Sequence, residues 1–320
     1  MIHKKVGQMF AALLVVLLGQ AFAGIAVADS RIVTFGDSVT DSGNAFTLLH
    51  TVALAPFEPI PTPPYAIGGH HYSNGATWVE QLGDRLGLNP SPGPAFQHPV
   101  VFSNYAVGGS RARPVGPVHL SFQVGRFFAD FGGVAPADAL YVIHIGGDDL
   151  RDALEALVTD PSGATSIAII TDALTAIQAN IIALASAGAP SAGARTFLVP
   201  NAPDFALVPA VRAAGPGAQA AGTFFAVTFN TALETMLSGL EAALGVKIFR
   251  LDIFALIHEI VNDPAAFGLT EVEDFCITPF TRVSPYCSDP DAFLFWDAIH
   301  PTRVGHAIIT DRALDALSAP

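Results

Sequence analysis

Short apolar runs alternate along the chain with longer helical stretches. The runs predict buried strands at residues 32–35, 100–105, 139–145, 196–200 and 246–251. The stretches between them predict helices at residues 75–86, 121–131, 150–158, 166–187, 218–244 and 301–317. Because strands that alternate with helices pair in parallel through crossover connections, the pattern predicts an α/β fold. We expect a three-layer α/β/α sandwich around a five-stranded parallel sheet.

The first 28 residues differ in pattern from the rest of the chain. Lys4 and Lys5 precede an apolar stretch at residues 10–18, and small residues follow at 26–28. This arrangement is typical of a secretory signal peptide cleaved before Asp29, so we expect a secreted or periplasmic protein. A retained membrane anchor is the alternative, although the apolar core is short for a span of about 20 residues.

The remaining residues, 29–320, contain no internal repeat and no linker that would divide them, so we expect one domain. Two long loops interrupt its alternation of strands and helices. Residues 55–69 are rich in proline, and residues 263–291 are rich in other loop-forming residues. Long loops in a compact domain are usually functional, so we expect both at the mouth of a substrate site.

The composition narrows the possible partners. The formal net charge of −13 becomes −15 when the two lysines of the signal peptide are removed, because residues 1–28 contain no acidic residue. A surface this acidic disfavours nucleic acid and electrostatic docking on anionic lipid. The hydrophobic fraction of 51% supplies a large core. We therefore expect a monomer with no nucleic-acid partner and no membrane span in the mature chain.

The two cysteines lie close together in the second long loop. Cys276 and Cys287 are separated by residues rich in proline, serine and aspartate. In a secreted chain this spacing favours one disulfide that closes a surface loop. A metal-binding pair is the weaker alternative, since no histidine lies beside them at ligand spacing.

A serine framed by glycines follows the first predicted strand. Ser38 lies two residues after Gly36, which allows the backbone to turn at the carboxyl edge of the sheet, where open α/β sheets bind ligands. A nucleophile would be exposed at this place. The alternative is an ordinary polar turn, because Asp, Ser, Gly and Asn are common turn residues.

A second candidate for chemistry lies near the other end of the chain. Asp297 and His300 are three residues apart and immediately precede Pro301, which can begin a helix. Alone, this pair could be a capping aspartate and an incidental histidine. Together with Ser38 it suggests a histidine that acts as general base to the serine and an aspartate that orients the histidine.

Two further glycine pairs follow predicted strands. Gly108 and Gly109 come after the second strand and offer backbone N–H groups that a ligand can approach closely. Gly146 and Gly147 come after the third strand and precede Asp148. Each pair alone is a weak signal, because such turns are common between strands and helices.

The four stretches together resemble the SGNH hydrolases, the GDSL lipase/esterase family, and within it the plant GDSL lipases and the bacterial secreted esterases, phospholipases and haemolysins. The motifs that carry the resemblance are Phe35-Gly36-Asp37-Ser38 with Asp41, Gly43 and Asn44; Tyr72-Ser73-Asn74-Gly75 with Trp78; Asn104-x-Ala106-x-Gly108-Gly109; and Asp297-x-x-His300-Pro301-Thr302. The resemblance implies a flavodoxin-like fold and an ester hydrolase that needs no metal or organic cofactor.

The resemblance also implies a role for each site residue. Ser38 would be the nucleophile and would donate one oxyanion hydrogen bond through its own N–H. Gly109 would be the second oxyanion donor. His300 would be the base, and Asp297 its orienting acid.

One position departs from the family pattern. Where the family has Gly-x-Asn-Asp, this chain has Gly146-Gly147-Asp148-Asp149, so Asp148 replaces the asparagine that would be the third oxyanion donor. An ionised carboxylate cannot donate, and loss of one donor costs on the order of 10² to 10³ in rate. Three outcomes are open: a weakened esterase, an esterase with protonated Asp148, or a binding protein without turnover. Asp148→Asn is expected to raise kcat in the first two cases.

The expected function is a secreted serine esterase or lipase that forms an acyl-enzyme on Ser38. Its substrate would be a small-molecule or lipid ester, with an apolar acyl side near Phe293, Phe295 and Trp296. The alternatives are a carbohydrate O-acetyl esterase and a catalytically impaired lipid-binding or adhesion module. Three histidines outside the motifs are expected to be structural: His144, His258 and His306.

Overall fold

A computed structural model describes residues 30–49, 70–188, 193–277 and 287–319 of the protein. The predicted signal peptide at residues 1–28 and the proline-rich loop at residues 55–69 lie outside these described residues.

The centre of the fold is a parallel sheet. It contains β1 (Arg31–Gly36), β2 (Ala139–His144), β3 (Thr196–Pro200) and β4 (Lys247–Leu251) in the order β1-β2-β3-β4. These strands agree with four of the five predicted runs, to within one residue at either end. Most of their residues are buried, as expected of a sheet covered on both faces.

The predicted strand at residues 100–105 is wrong in its first half. Val100 has a backbone φ of 71°, and the Phe102 N–H donates to the His98 carbonyl at 2.9 Å, so the chain turns here. A β-branched residue rarely adopts this left-handed conformation. The apolar run therefore gave no signal of the turn.

The end of that run nevertheless lies beside β1 as an irregular fifth position of the sheet. The Thr34 N–H donates to the Ser103 carbonyl at 2.9 Å, and the Tyr105 N–H donates to the Thr34 carbonyl at 2.7 Å. The Val107 N–H donates to the Gly36 carbonyl at 3.2 Å. With this segment outside β1, the strand order is that of a flavodoxin-like sheet.

Helices cover both faces, because alternate residues of each strand point in opposite directions. The helices are α1 (Asn44–Leu49), α2 (Trp78–Leu86), α3 (Leu120–Asp130), α4 (Gly147–Ala156), α5 (Ala164–Ser186), α6 (Pro209–Ala213), α7 (Pro216–Leu244), α8 (Ile253–Asn262) and α9 (Arg303–Ser318). Val33 and Phe35 pack in one cluster with α3, α4, α5 and α7. Ile32 packs in the other with α2, α8 and α9. The α/β fold with three layers is thus confirmed.

Some boundaries differ from the prediction. The helices α1, α6 and α8 were not expected. Helix α9 begins at Arg303 rather than at Pro301, because the Thr302 side chain accepts a hydrogen bond from the Gly305 N–H and caps the helix. Helix α4 begins at Gly147 rather than at Leu150.

The second long loop is only partly a loop. Residues 263–291 contain β5 (Glu271–Phe275), which pairs in parallel with β6 (Phe293–Phe295), the strand that follows this loop. Residues 278–286 of this loop lie outside the described residues. The expected disulfide is present: the Cys276 and Cys287 sulfurs are 2.09 Å apart, and both residues pack with the buried Trp296.

One described helix is long and apolar enough to cross a membrane by length and composition, namely α5. It contacts α3, α4 and α7 and buries Ile170, Ile177 and Ile181 in the core. These contacts are those of a core helix that covers a sheet.

Candidate active site

Ser38 lies in the tight turn that ends β1. The Thr40 N–H donates to the Asp37 carbonyl at 3.2 Å and closes the turn. A Cβ atom on Gly36 would lie 2.1 Å from the Thr40 hydroxyl and 2.5 Å from the His144 carbonyl oxygen. Only glycine fits at this position, and the turn therefore places Ser38 at the carboxyl edge of the sheet.

The structure brings Ser38, His300 and Asp297 into one hydrogen-bonded chain. The Ser38 Oγ is 2.8 Å from His300 Nε2, and His300 Nδ1 is 2.7 Å from Asp297 Oδ2. Asp297 and His300 are almost fully buried, at 2% and 1% exposure. With the Nδ1 proton directed at the carboxylate, Nε2 is free to accept the serine proton.

Asp297 is held by its own turn. Its Oδ1 atom accepts hydrogen bonds from the backbone N–H groups of Ile299 and His300, both at 2.8 Å. The carboxylate thus orients the imidazole with one oxygen while the other fixes the loop. The spacing of three residues is what makes both sets of contacts possible.

The Tyr72-Ser73-Asn74 segment fastens the histidine loop from outside. The Ser73 hydroxyl donates to the Pro301 carbonyl at 2.8 Å, and Asn74 Oδ1 accepts from the Arg303 N–H at 2.7 Å. The Tyr72 ring lies against the His300 ring, with centroids 5.1 Å apart. This motif was known from the family resemblance, but the residues alone did not indicate what it contacts.

Asp41 ties the serine turn to the Gly108-Gly109 loop. Its carboxylate accepts from the N–H groups of Gly43, Asn44, Ala45 and Gly108, at distances of 2.6 to 3.0 Å. Burial raises the pKa of Asp41 to about 6, while these N–H groups lower it. The network therefore keeps the Gly109 loop in register with Ser38.

Two buried asparagines complete this support. The Asn44 side-chain amide donates to the carbonyls of Asn104 and Ala106, at 2.7 and 2.8 Å. The Asn104 side chain donates to the Thr40 carbonyl at 2.7 Å. Both asparagines position backbone and neither is directed at a substrate.

Glycine is required at position 108 because the Tyr72 side chain lies against it. A Cβ atom on Gly108 would lie 2.3 Å from the Tyr72 hydroxyl oxygen. The adjacent Gly109 has a φ of 78°, a conformation that favours glycine. Among the described residues, neither the Ser38 N–H nor the Gly109 N–H has a hydrogen-bond acceptor. Both N–H groups are thus available to a ligand.

Asp148 and Asp37 form a buried pair of carboxyl groups beside Ser38. Asp148 is 8% exposed and Asp37 is 5% exposed. Burial, and then the charge of Asp37, raise the pKa of Asp148 well above its ordinary value. Burial also raises the pKa of Asp37 to about 6, although the Val39 N–H donates to it and opposes that rise.

Arg151 acts against the neutral form of Asp148. Its Nη2 atom lies 2.9 Å from Asp148 Oδ1, and a cation at that distance favours an ionised carboxyl. Arg111 also lowers the pKa of Asp148, whereas Asp149 and Asp152 raise it. Burial is the largest cause, so the pKa of Asp148 is raised and its neutral form is favoured more than that of an exposed carboxyl.

Asp149 was not predicted as a site residue, and it has a supporting role. It is fully buried and accepts from the Ala112 N–H and from Arg113 Nε, both at 2.7 Å. These bonds fix the chain just after Gly109 against the start of α4. A second aspartate in the Gly-Gly-Asp-Asp run was the only sequence signal for this link.

A first cavity of about 140 Å³ opens beside Ser38. Its walls come from the ends of β2 and β3, from Ile299, and from residues 200–211, a region that the sequence did not indicate. The apolar lining residues from that region are Pro200, Ala202, Pro203, Phe205, Val208, Ala210 and Val211. No residue of the long loop at residues 263–291 lines this cavity, so its expected place at the substrate mouth is wrong for the residues that the structure describes.

The expected aromatic acyl wall is also largely wrong. Trp296 is fully buried in the cluster around the disulfide, and Phe293 packs against the same cluster. Of these three, only Phe295 lines a cavity, a second one of about 100 Å³ that adjoins the first. Core packing, rather than substrate contact, accounts for the other two aromatic residues.

The three histidines expected to be structural have protein partners. His306 Nδ1 accepts from the Trp78 N–H at 3.2 Å, and His144 Nδ1 lies 3.2 Å from the Trp78 indole nitrogen. His258 Nε2 lies 3.1 Å from Asp204 Oδ2. His144 additionally faces both cavities.

Comparison with known proteins relates this geometry to a family. The model of the GDSL-like lipase/acylhydrolase family matches residues 32–313, nearly the whole described domain. A GDSL esterase/lipase of Arabidopsis thaliana is 26% identical over 91% of this chain and 90% of its own length. A second from the same plant is also 26% identical, over 93% and 92%.

Solved structures with a similar course of the chain include two enzymes. One is LAE5, an alpha/beta hydrolase enzyme from the metagenome of Lake Arreo, at a TM-score of 0.48 and 15% identity over 90% of this chain and 94% of its own. The other is Axe2, an acetylxylan esterase from Geobacillus stearothermophilus, at 0.46 and 13% over 91% and 94%. The match of the family model and the plant relatives confirm the expected resemblance: this chain belongs to the GDSL-like lipase/acylhydrolase family and is a carboxylic ester hydrolase.

Proposed function

We propose that the protein is a secreted serine esterase that works through an acyl-enzyme on Ser38. The observation that carries the proposal is the chain of hydrogen bonds from Ser38 through His300 to Asp297, at 2.8 and 2.7 Å. A serine hydroxyl is a weak nucleophile at neutral pH, and an adjacent oriented imidazole is what activates it.

The reaction runs in two halves. In the first, Ser38 Oγ bonds to the ester carbonyl carbon while His300 Nε2 takes the hydroxyl proton. The tetrahedral intermediate then expels the alcohol, to which His300 returns that proton, and the acyl group remains on Ser38. In the second half water attacks the acyl-enzyme by the same route, and the acid leaves.

The negative charge on the carbonyl oxygen needs donors. The N–H groups of Ser38 and Gly109 supply two, since neither has an acceptor among the described residues. Protonated Asp148 supplies the third through its carboxyl O–H. A buried carboxylic acid kept neutral at pH 7 can donate as an amide would. The departure from the family pattern therefore changes the pH range of the enzyme rather than abolishing turnover.

The acyl group of the substrate occupies the first cavity. The walls of that cavity are mostly aliphatic, and Asp37, Asp148 and Arg151 line it together with Ser38, where the ester itself would be; the other polar residues in its walls are His144 and Asn201. Such a lining favours an alkyl chain, because burial of each methylene contributes about 0.8 kcal/mol. An acetyl group, the acyl part of an O-acetylated carbohydrate, has only two carbons and would leave most of this cavity unfilled.

Secretion is supported by two features. Residues 1–28 have the pattern of a signal peptide. The disulfide between Cys276 and Cys287 forms and persists in oxidising compartments.

The proposal is tested with the purified protein, a fluorophosphonate probe and p-nitrophenyl butyrate. The wild type should be labelled and should hydrolyse the ester, whereas Ser38→Ala should do neither. Ser42→Ala is the matched control, because Ser42 is buried in the same motif and its hydroxyl has no partner among the described residues. A folded wild type that neither reacts with the probe nor cleaves the ester would refute the proposal.

A further inference from the structure

The first and second cavities adjoin each other. The first, of about 140 Å³, includes Ser38 in its wall. The second, of about 100 Å³, lies between α8, β6 and α9. They share five lining residues: Val39, His144, Pro203, Val208 and Ile299. The end of a chain that starts at Ser38 and lies along the first cavity is therefore close to the second.

The second cavity has an almost wholly aliphatic wall. Beyond the shared residues it is lined by Ile253, Leu256, Ile257, Ile260, Leu294, Phe295, Pro301, Gly305 and Ile309. Apolar cavities of this size bind apolar guests. No side chain in this group can hydrogen-bond an alcohol or a sugar, so the cavity is suited to hydrocarbon alone.

The one polar side chain at the shared wall does not oppose hydrocarbon strongly. His144 Nδ1 faces the Trp78 indole N–H, its hydrogen-bond partner within the core. Burial lowers the pKa of His144 to about 4, so the ring is uncharged at neutral pH. An alkyl chain that passes this ring meets a neutral heterocycle.

The second cavity interrupts an otherwise packed apolar cluster. It lies within the cluster that packs α2, α8 and α9 on the sheet, and protein interiors contain few voids larger than a water molecule. Because it adjoins the cavity that contains Ser38, an acyl group carried by Ser38 is a suitable occupant.

We propose that the second cavity receives the far end of the acyl chain, so that the preferred substrates are esters of linear medium-chain fatty acids. This inference rests on the proposed function, in which Ser38 carries the acyl group. A cavity of about 150 Å³ holds one benzene ring, which has six carbon atoms. On that scale the first cavity takes about six carbons and the second about four more, so decanoyl esters, of about ten carbons, fill both.

Ile309 and its neighbour on α9 offer a matched pair of variants. Ile309 lines the second cavity and does not line the first. Ile308, the next residue along the helix, is half-buried in the same cluster and lines neither cavity. The larger ring of Ile309→Phe would occupy the second cavity, while Ile308→Phe makes the same chemical change outside it.

The experiment measures kcat/KM for p-nitrophenyl esters from acetate to palmitate. The wild type should peak near decanoate. Ile309→Phe should lose about tenfold to hundredfold on decanoate, since each methylene excluded from an apolar site costs about fourfold and the ring would exclude about two or three of them. The same variant should stay within about twofold of wild type on butyrate, and Ile308→Phe should keep the wild-type profile, because neither change touches the first cavity.

Two results would overturn the inference: a wild type that prefers butyrate to decanoate, or a folded Ile309→Phe whose acyl-length profile equals that of the wild type. If Ile309→Phe does not fold by circular dichroism, Ile257→Phe blocks the same cavity from α8 and is judged by the same two criteria. Failure of the proposed function looks different, because no ester would then be cleaved and no fluorophosphonate would label the wild type.

Discussion

The two halves of the site around Ser38 are built in different ways. The half that activates the serine is local in sequence: Asp297 and His300 share one turn, and Asp297 accepts two N–H groups of that turn. In the proposed mechanism the other half faces the growing negative charge, and it combines the N–H groups of Ser38 and Gly109 with Asp148 from the start of α4. The first half is fixed by hydrogen bonds, whereas the second depends on where a proton resides.

The difference shows how one substitution can change the chemistry of a site without changing its shape. Asn and Asp have nearly the same size, so Asp148 fits where an amide would. Whether Asp148 donates a hydrogen bond to the oxyanion or repels it depends on its burial and on the charge of Asp37. Neither can be read from the residues next to Asp148 in the sequence. The activating half should therefore respond to mutation as in other serine hydrolases, and the oxyanion half should respond to pH as well.

The largest effect is expected in the activating half. Ser38→Ala should lower kcat for p-nitrophenyl butyrate by about 10⁵ to 10⁶, because the nucleophile and its base act as one unit. Ser42→Ala should leave kcat within about threefold of wild type, because the buried Ser42 hydroxyl has no hydrogen-bond partner among the described residues that the change could remove. If the loss at Ser38 were less than tenfold, another group would have to be the nucleophile.

Asp297→Asn tests the same half at its orienting acid. The amide can still accept from the Ile299 and His300 N–H groups, so the turn should hold. Its NH₂ group cannot accept the His300 Nδ1 proton, and the wrong imidazole tautomer should cost about 10⁴ in kcat. Circular dichroism and thermal unfolding would check the fold. A loss of less than tenfold would show that the 2.7 Å contact does not set the tautomer.

The oxyanion half should show a smaller, pH-dependent effect. Asp148→Ala removes the donor and should lower kcat by about 10² to 10³ at pH 6. Asp148→Asn donates at every pH, whereas wild-type Asp148 is a donor only while protonated, and its donor is lost as pH rises through its raised pKa. The ratio of kcat for Asp148→Asn to that of wild type should therefore increase with pH. Parallel pH profiles would mean that Asp148 does not contact the oxyanion.

The smallest effect is on stability. The pKa of Asp148 is raised in the folded protein above its ordinary value of 3.8. Its stabilising contribution is therefore complete below pH 3.8 and is lost as pH rises through the folded pKa. Asp148→Asn lacks this loss, so its Tm at pH 8 should exceed that of wild type. The gain should be roughly 2–4 °C for each kcal/mol of unfolding free energy that the wild type has lost, and there should be no gain at pH 4. A gain that is equal at both pH values would indicate a packing effect instead.

The fold was predictable to the extent that it depends on local pattern. The strands at residues 32–35, 139–145, 196–200 and 246–251 were visible because fully buried parallel strands are continuous apolar runs. The run at residues 100–105 has the same composition, but Val100 takes a left-handed conformation that no propensity indicates. Helix α8 was not predicted, because the loop-rich stretch that follows it obscured its end.

The site was predictable where its residues belong to short motifs with a fixed spacing. Ser38, Asp297 and His300 were recognised as a group, and their contacts lie at hydrogen-bonding distance. Asp149, which ties Arg113 to α4, was missed because its partner lies 36 residues away and neither residue stands out in its context. The lining at residues 200–211 was missed because apolar residues in a loop look the same whether they pack inward or line a cavity.

The sequence by itself predicted four strands of the sheet and six of the described helices, the grouping of Ser38 with Asp297 and His300, and one disulfide between Cys276 and Cys287. Each of these depends on residue type, on short spacing, or on both. The tertiary structure alone decided three other matters: the proximity of Asp37 to Asp148, the cavity walls supplied by residues 200–211, and the second cavity behind Val39 and Ile299. These depend on which distant segments share one place, and burial there raises the pKa of Asp148.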